Sequence, residues 1–144
     1  MGKTAMRRPG VQAALALVLL AFTASESTGA IARWQAGNLQ PLVVGWQQFF
    51  RIQWDATRVA GQPAVEGYVT NVWGFTAVKV QLLVNGYDKS GKRVGQLVAW
   101  GPSPITPGSR VYFDVRVPRA ASYEVAVFAW DWVQTGGGQR RLRP

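Results

Sequence analysis

Apolar and polar residues alternate with a period of two along most of the chain after residue 49. The clearest run is 110–117, in which Val111, Phe113, Val115 and Val117 alternate with arginine, aspartate and tyrosine. Alternation of this kind is typical of a β-strand with one face buried and the other in solvent. The pattern predicts strands at residues 50–55, 65–70, 78–85, 92–100, 110–117 and 123–132.

Two of these runs predict how the strands pack. In the run 78–85 we expect one buried face, made of Val78, Val80, Leu82 and Val84. The last run has two apolar faces: Tyr123, Val125, Val127 and Ala129 on one, and Ala126, Phe128, Trp130 and Trp132 on the other. A strand with two apolar faces is buried on both. The last strand should therefore be central in a sheet, or another segment should cover its second face.

Turn-forming residues separate the predicted strands. Segments rich in Gly, Pro, Asn and Asp lie at 61–63, 71–74, 88–91, 102–108 and 118–121. After the first 32 residues no segment has the 3.6-residue period of an amphipathic helix. Short strands at regular spacing with turns between them predict an all-β fold, an antiparallel β-sandwich of about six to seven strands.

The first 32 residues have the composition of a signal peptide. Basic residues (Lys3, Arg7, Arg8) precede an apolar run that begins at Val11, and small residues follow up to Ala32. The apolar run is shorter than the roughly 20 residues that cross a bilayer. We therefore expect cleavage rather than a retained anchor, and a mature chain in the periplasm or outside the cell without a transmembrane segment. The predicted division is a signal peptide at 1–32, a lead-in arm at 33–48, a β-sandwich domain at 49–134 and a disordered basic tail at 135–144.

Composition narrows the possible chemistry. The chain has no cysteine and no histidine, which removes thiol chemistry, disulfides and the usual general base and zinc ligands. Without residues 1–32 it keeps 13 cations and 6 acids, a net charge of +7. This excess predicts a weak attraction to anionic surfaces. Nucleic-acid binding is not expected, because the cations follow no stripe interleaved with aromatic residues.

Residues 86–93, GYDKSGKR, come close to a phosphate-binding loop. The glycines and Lys92 fit that pattern, but Arg93 stands where a magnesium-binding hydroxyl is needed. The residues that follow are β-like, whereas a phosphate loop leads into a helix. We therefore predict a hairpin turn in which Asp88 bonds to the backbone ahead and Gly91 takes a positive φ. No cofactor, metal or catalytic residue is predicted.

The tryptophans offer the most specific hypothesis of a site. Trp130 and Trp132 flank Asp131, an arrangement that can stack on sugars or hold a cation. Trp73 and Trp100 could extend such a site. The alternative is that Trp130 and Trp132 pack against the aromatic residues of the arm as part of the core, since a small domain without cysteine needs that burial.

Three motifs resemble a known family. Gly67, Val69 and Asn71 end one strand; Tyr87, Asp88 and Gly91 end the next; and Pro107, Gly108, Phe113 and Val115 form a turn and the strand after it. This order resembles FxLYD-like and DUF3426-type domains of bacterial exported proteins, although Val84 and Gly86 replace the Phe and Leu of the name-giving motif. The resemblance implies an immunoglobulin-like sandwich without catalytic residues. Tyr123 also resembles the tyrosine corner of such sandwiches.

The sequence thus predicts an exported, non-catalytic binding or structural module of the bacterial cell envelope, whose partner is an envelope protein or glycan. The second hypothesis is a carbohydrate-binding module that uses exposed tryptophans. A small hydrolase is the third, and it lacks an evident base.

Overall fold

The computed structural model describes residues 32–134. The predicted signal peptide, apart from residue 32, and the predicted tail lie outside this part of the chain. The described strands are β1 (Phe50–Val59), β2 (Gln62–Asn71), β3 (Thr76–Tyr87), β4 (Arg93–Trp100), β5 (Arg110–Arg116) and β6 (Ser122–Val133), preceded by a short 3-10 turn at Trp46–Gln48.

The strands form two antiparallel three-stranded sheets, in the orders β1-β2-β5 and β4-β3-β6. The chain changes sheet between β2 and β3, between β4 and β5, and between β5 and β6. This order matches strands A, B and E against C′, C and F of an immunoglobulin sandwich. The predicted all-β antiparallel sandwich is confirmed.

The inward faces of the two sheets form one hydrophobic core. Its buried members come from both sheets: Phe50, Val65, Val69, Ala77, Val80, Leu82, Val84, Ile105, Phe113, Val115, Val117, Val125 and Val127. Each buried Val, Leu, Ile or Phe side chain contributes roughly 1.5–3 kcal/mol. Because the chain contains no cysteine, this burial is the main source of stability in the described domain.

Two β-bulges change which residues face the core. In β3, Lys79 has a φ of 51°, and Ala77 and Val80 are buried while Val78 is only half-buried. The prediction that Val78 continues the buried face of β3 is therefore wrong. In β6, two residues of that strand oppose one of β3 at Phe128. An extra residue reverses the side on which the following side chains point.

The bulge at Phe128 explains the two apolar faces of the last run. Val125 and Val127 point into the core before it, and Trp130 and Trp132 pack against the core after it. The predicted opposition of Trp130 and Trp132 to Val125 and Val127 is wrong for this reason.

The lead-in arm crosses the outer face of the β4-β3-β6 sheet. The Gln35 amide donates to the Gln96 carbonyl at 2.7 Å, and the Leu42 amide donates to the Phe128 carbonyl at 2.8 Å. Leu83, on the strand between these two contacts, is 1% exposed although it lies outside the core cluster. Among the described strands β6 lies at the edge of its sheet and is not central. The arm covers its second face, which is the other arrangement that the sequence predicts.

Trp34 attaches the start of the arm at the end of the sandwich opposite to Val133. A Cβ atom added at Gly86 or at Gly95 would collide with its indole ring. These two glycines are directly paired across β3 and β4. Gly95 therefore makes room for the arm rather than interrupting the strand.

Tyr123 holds the connection that precedes β6 through its hydroxyl group. The Tyr123 hydroxyl donates to the Pro118 carbonyl at 2.9 Å and accepts from the Ala120 amide at 3.0 Å. These bonds hold the connection between β5 and β6, which lie in opposite sheets.

Candidate binding surfaces

Trp130 and Trp132 belong to the core and not to an open platform. The Trp132 ring stacks on Phe50 at an interplanar angle of 7° and a centroid distance of 5.7 Å, and Trp130 meets Phe50 edge-on at 5.0 Å. Phe49, at the end of the arm, contacts both indoles. Both tryptophans are half-buried, so their faces are occupied by protein. The core interpretation of these two residues is the one that agrees with the structure.

Neighbouring side chains of a strand point to opposite faces, so Asp131 lies on the face opposite to the two indoles. It points outward and forms an ion pair with Lys79 at 3.1 Å, with both side chains largely exposed. Exposed ion pairs of this kind contribute about 0–1 kcal/mol. The Trp130-Asp131-Trp132 motif therefore does not form a joint site.

A cluster of exposed apolar side chains occupies one end of the sandwich, which we call the apolar end. It consists of Val72, Trp73, Phe75 and Val133, each between 43% and 46% exposed. Trp73 packs edge-on against Phe49 with ring centroids 4.9 Å apart, and Phe75 is tilted against Trp132 at 6.5 Å. One side of each ring thus rests on the core and the other meets solvent.

Asn71 holds the backbone of the apolar end. Its side chain is completely buried; Nδ2 donates to the carbonyls of Phe75 at 2.7 Å and Ile105 at 2.9 Å, and Oδ1 accepts from the Trp73 amide at 2.9 Å. Two connecting segments, β2–β3 and β4–β5, therefore meet at one amide group. This role explains an asparagine at the end of an otherwise regular strand.

The turn at Pro107 and Gly108 belongs to the same end. Gly108 has a φ of 75°, and its amide donates to the Asn71 carbonyl at 2.8 Å. The Asn71 amide in turn donates to the Ser109 carbonyl. A φ in this region favours glycine, which gives Gly108 a structural reason in this turn.

Trp100 is the most exposed tryptophan in the described part of the chain, at 69%. It ends β4 and lies opposite Gln81. No aromatic side chain of residues 32–134 is paired with it. A single exposed tryptophan without such a neighbour is a weak site by itself.

The opposite end of the sandwich is rich in cations, and we call it the basic end. It carries the turn between β1 and β2, the turn between β3 and β4, the β5–β6 connection and the start of the arm. Among residues 32–134 its cations are Arg33, Arg58, Lys89, Lys92, Arg93, Arg116 and Arg119, and its carboxylates are Asp88 and Glu124.

Asp88 organises the β3–β4 turn. Its Oδ1 accepts from the Ser90 amide at 2.9 Å, the Ser90 hydroxyl at 2.6 Å and the Lys92 amide at 2.9 Å, while Gly91 has a φ of 82°. The Ser90 hydroxyl, followed by the Lys92 amide, lowers the pKa of the Asp88 carboxyl. Asp88 thus bonds to the backbone ahead of it, and Gly91 takes the positive φ of the turn.

A tyrosine pair marks the outer face of the β1-β2-β5 sheet. Tyr68 and Tyr112 are directly paired across β2 and β5, with ring centroids 5.6 Å apart in an edge-on arrangement. The Arg110 guanidinium lies 3.9 Å from the Tyr68 centroid. Together with Gln53 and Glu66 they line a shallow depression of about 680 Å³.

The row next to the tyrosines is acidic. Asp55 pairs with Glu66, and Glu66 pairs with Asp114, which places three carboxylates side by side on three strands. The Tyr112 hydroxyl donates to Glu66 at 2.8 Å, and this bond raises the pKa of Tyr112 to about 12. Within residues 32–134 no acidic cluster has the geometry of a metal site.

The apolar end and the tyrosine face were not predicted as surfaces. Trp73 was a candidate, but Phe75 and Val133 carry no sequence signal beyond being apolar at strand ends. Tyr68 and Tyr112 each stand at a solvent-facing position of an alternating run. Only the register of β2 with β5 brings them together.

In comparisons with known proteins, no family model, no curated protein and no solved structure matches the chain. Within residues 32–134 there is no helix with the length and hydropathy that crossing a membrane requires.

Proposed function

We propose that this chain is an exported, non-catalytic binding module of the bacterial cell envelope that docks through its apolar end onto an apolar surface of an envelope protein. The observation that carries the proposal is the exposed cluster of Val72, Trp73, Phe75 and Val133, which stands on the core through Phe49 and Trp132. Contiguous exposed apolar patches on small soluble domains mark interaction sites.

The cluster has the properties of a binding hot spot. Aromatic side chains dominate the affinity of protein interfaces when they sit at the centre of the contact. Trp73 and Phe75 are held on both sides of a turn whose backbone is fixed by the buried Asn71 side chain. A fixed backbone loses little conformational entropy on binding, which strengthens the association.

We also propose that the chain is a distant FxLYD-like domain. The residues that carry this resemblance have structural roles that support it. Asn71 joins the segments of the apolar end, Asp88 and Gly91 form the β3–β4 turn, and Gly108 closes on Asn71. Domains of this kind are expected to bind rather than catalyse.

The proposal is tested by titrating the fluorescently labelled full chain onto isolated bacterial envelopes. We compare wild type with the double variant Trp73→Ser, Phe75→Ser and with the control Trp100→Ser, which removes a more exposed indole outside the Val72, Trp73, Phe75 and Val133 cluster. We expect the double variant to bind at least about tenfold more weakly, since hot-spot truncations reach that size. The control should bind like wild type.

Envelopes digested with protease should lose this binding if the partner is a protein. Equal binding of the double variant and wild type would overturn the proposal. Equal weakening by Trp100→Ser would overturn it as well, because the effect would then not belong to the apolar end.

A second candidate function is glycan binding on the tyrosine face. The observation that favours it is the depression lined by the Tyr68–Tyr112 pair, Gln53 and Glu66. Sugars combine an apolar ring face with hydroxyl groups, so aromatic side chains flanked by planar polar groups fit them. This site differs from the tryptophan platform that the sequence predicts.

Tyr112→Ala tests the glycan hypothesis. It should abolish binding to soluble peptidoglycan fragments while leaving binding through the apolar end intact. Binding that is lost after muramidase digestion of the envelopes, and not after protease digestion, would favour this function over docking to a protein.

A further inference from the structure

The basic end concentrates most of the positive charge of the described domain. Seven of its ten cations belong to the basic end, and they come from segments far apart in sequence. Two of the six described carboxylates lie there, and three others form the row on the outer face of the β1-β2-β5 sheet. The sixth, Asp131, is paired with Lys79.

The cations of the basic end are not neutralised within the fold. The only ion pair among residues 32–134 is that of Lys79 with Asp131. Arg58, Arg93 and Arg116 instead donate to neutral oxygens, those of Gly61, Asn38 and Gln62 respectively. Their positive charge therefore remains available to an external anion.

The shape of the basic end favours an extended anionic surface. Arg58 and Arg119 line one shallow depression, and Lys89 and Arg119 line the next, so the cations spread over adjoining concavities. Neither of these two depressions gathers more than two of the described cations. A spread of cations matches the diffuse negative potential of a bilayer that contains anionic lipids.

The path of the chain leads to the same end. Trp34, which follows the first described residues, packs at the paired glycines Gly86 and Gly95 next to the β3–β4 turn. The apolar end, with Val133, lies on the opposite side of the domain.

We propose that the basic end binds the headgroups of anionic phospholipids, so that the domain lies on a membrane with its apolar end directed away from the bilayer. This inference is independent of which partner the apolar end docks. The two ends then have different functions: the basic end attaches the domain by electrostatic attraction, and the apolar end binds a protein. The attachment depends on ionic strength, because exposed charges are screened within about 10 Å at ordinary salt.

The test uses co-sedimentation of the full chain with two kinds of vesicle, phosphatidylcholine alone and an equal mixture of phosphatidylcholine and phosphatidylglycerol. The test variant is Lys89→Glu, Lys92→Glu, Arg119→Glu, three exposed positions of the basic end. The matched control is Arg140→Glu, Arg141→Glu, Arg143→Glu, which changes the net charge equally. Unchanged thermal unfolding shows that both variants fold.

We expect wild type to bind the anionic vesicles more strongly than the neutral ones, and the test variant to lose at least about a hundredfold in affinity. The control should lose much less. A dye attached after Ala121→Cys should respond to anionic vesicles, and one attached after Val133→Cys should not. Equal losses in both variants, no preference for anionic vesicles, or a response at position 133 alone would each overturn the proposal. Failure here leaves the loss of envelope binding by Trp73→Ser, Phe75→Ser unaffected.

Discussion

Replacing Asn71 by alanine should destabilise the domain more than replacing any other polar residue discussed by alanine. The variant removes three hydrogen bonds and leaves the carbonyl of Phe75 and the amide of Trp73 without their side-chain partner. The carbonyl of Ile105 keeps its bond from the Ala77 amide. Each bond contributes about 1 kcal/mol net, and water at the exposed turn recovers part of the loss. We therefore expect the free energy of unfolding to fall by about 2–3 kcal/mol.

The assay is thermal unfolding of the full chain followed by tryptophan fluorescence. For a domain of this size a loss of about 2–3 kcal/mol corresponds to a fall of roughly 10–20 °C in the melting temperature. The matched control is Asn85→Ala. Asn85 is half-buried and bonds to the Glu124 and Gln96 side chains, not to the backbone of a connecting segment. We expect the Asn85→Ala variant to lose about 1 kcal/mol or less of its free energy of unfolding.

Asn71→Asp sharpens the same test. The aspartate keeps the volume and the acceptor for the Trp73 amide, but it places a second oxygen against two carbonyls in a buried position. We expect a larger loss than for alanine at neutral pH and a smaller one in acid, where the carboxyl regains a proton to donate. If the unfolding midpoint of Asn71→Ala equals that of wild type or of Asn85→Ala, the Asn71 side chain does not hold the backbone of the apolar end.

Three further predictions concern single residues. The pKa of Asp88 is lowered in the folded protein, so its bonds stabilise the turn fully above its ordinary pKa of 3.8. That contribution is lost as the pH falls through the lowered pKa. The difference in unfolding free energy between wild type and Asp88→Ala should therefore shrink in acid. The hydrogen bond to Glu66 raises the pKa of Tyr112 to about 12, so its contribution to stability is complete below pH 10 and is lost as the pH rises through about 12. The bond to Glu124 raises the pKa of Tyr87 as well; of the late tyrosines in an absorbance titration, Glu66→Gln should therefore move only one earlier. Gly95→Ala should displace Trp34 and increase the quenching of its fluorescence by acrylamide, whereas Gly91→Ala, which meets no side chain, should not.

The regular part of the fold could be predicted because local alternation and turn residues suffice for it. The strand β5 alternates without a break, and its burial follows the pattern from Arg110 to Arg116. The turn at Asp88 could be predicted as well, since its bonds lie within five residues. These features depend on neighbours in sequence, which the pattern contains.

The misassigned faces share one physical cause. A bulge inserts one residue, and whether it forms depends on the partner strand and not on its own sequence. Lys79 has no intrinsic preference for a positive φ, and Phe128 is an ordinary strand residue. Alternation read across these two positions therefore assigned Val78 and Trp130 to the wrong side.

The surfaces were even less accessible to sequence reasoning. Arg58, Lys89 and Arg119 are far apart in the chain and meet only because three connections share one end of the sandwich. The same holds for Tyr68 and Tyr112, which depend on the register of two strands. Surface chemistry of this kind follows from topology, and topology requires the long-range pairing.

The most direct test of docking through the apolar end uses the absence of cysteine. A single dye attached after Val133→Cys reports the environment of the apolar end when the full chain binds isolated envelopes. The account predicts that the dye becomes protected from iodide, a water-soluble quencher, and that Trp73→Ser with Phe75→Ser removes the protection. Bound protein in which position 133 stays as open to iodide as in the free chain would contradict it.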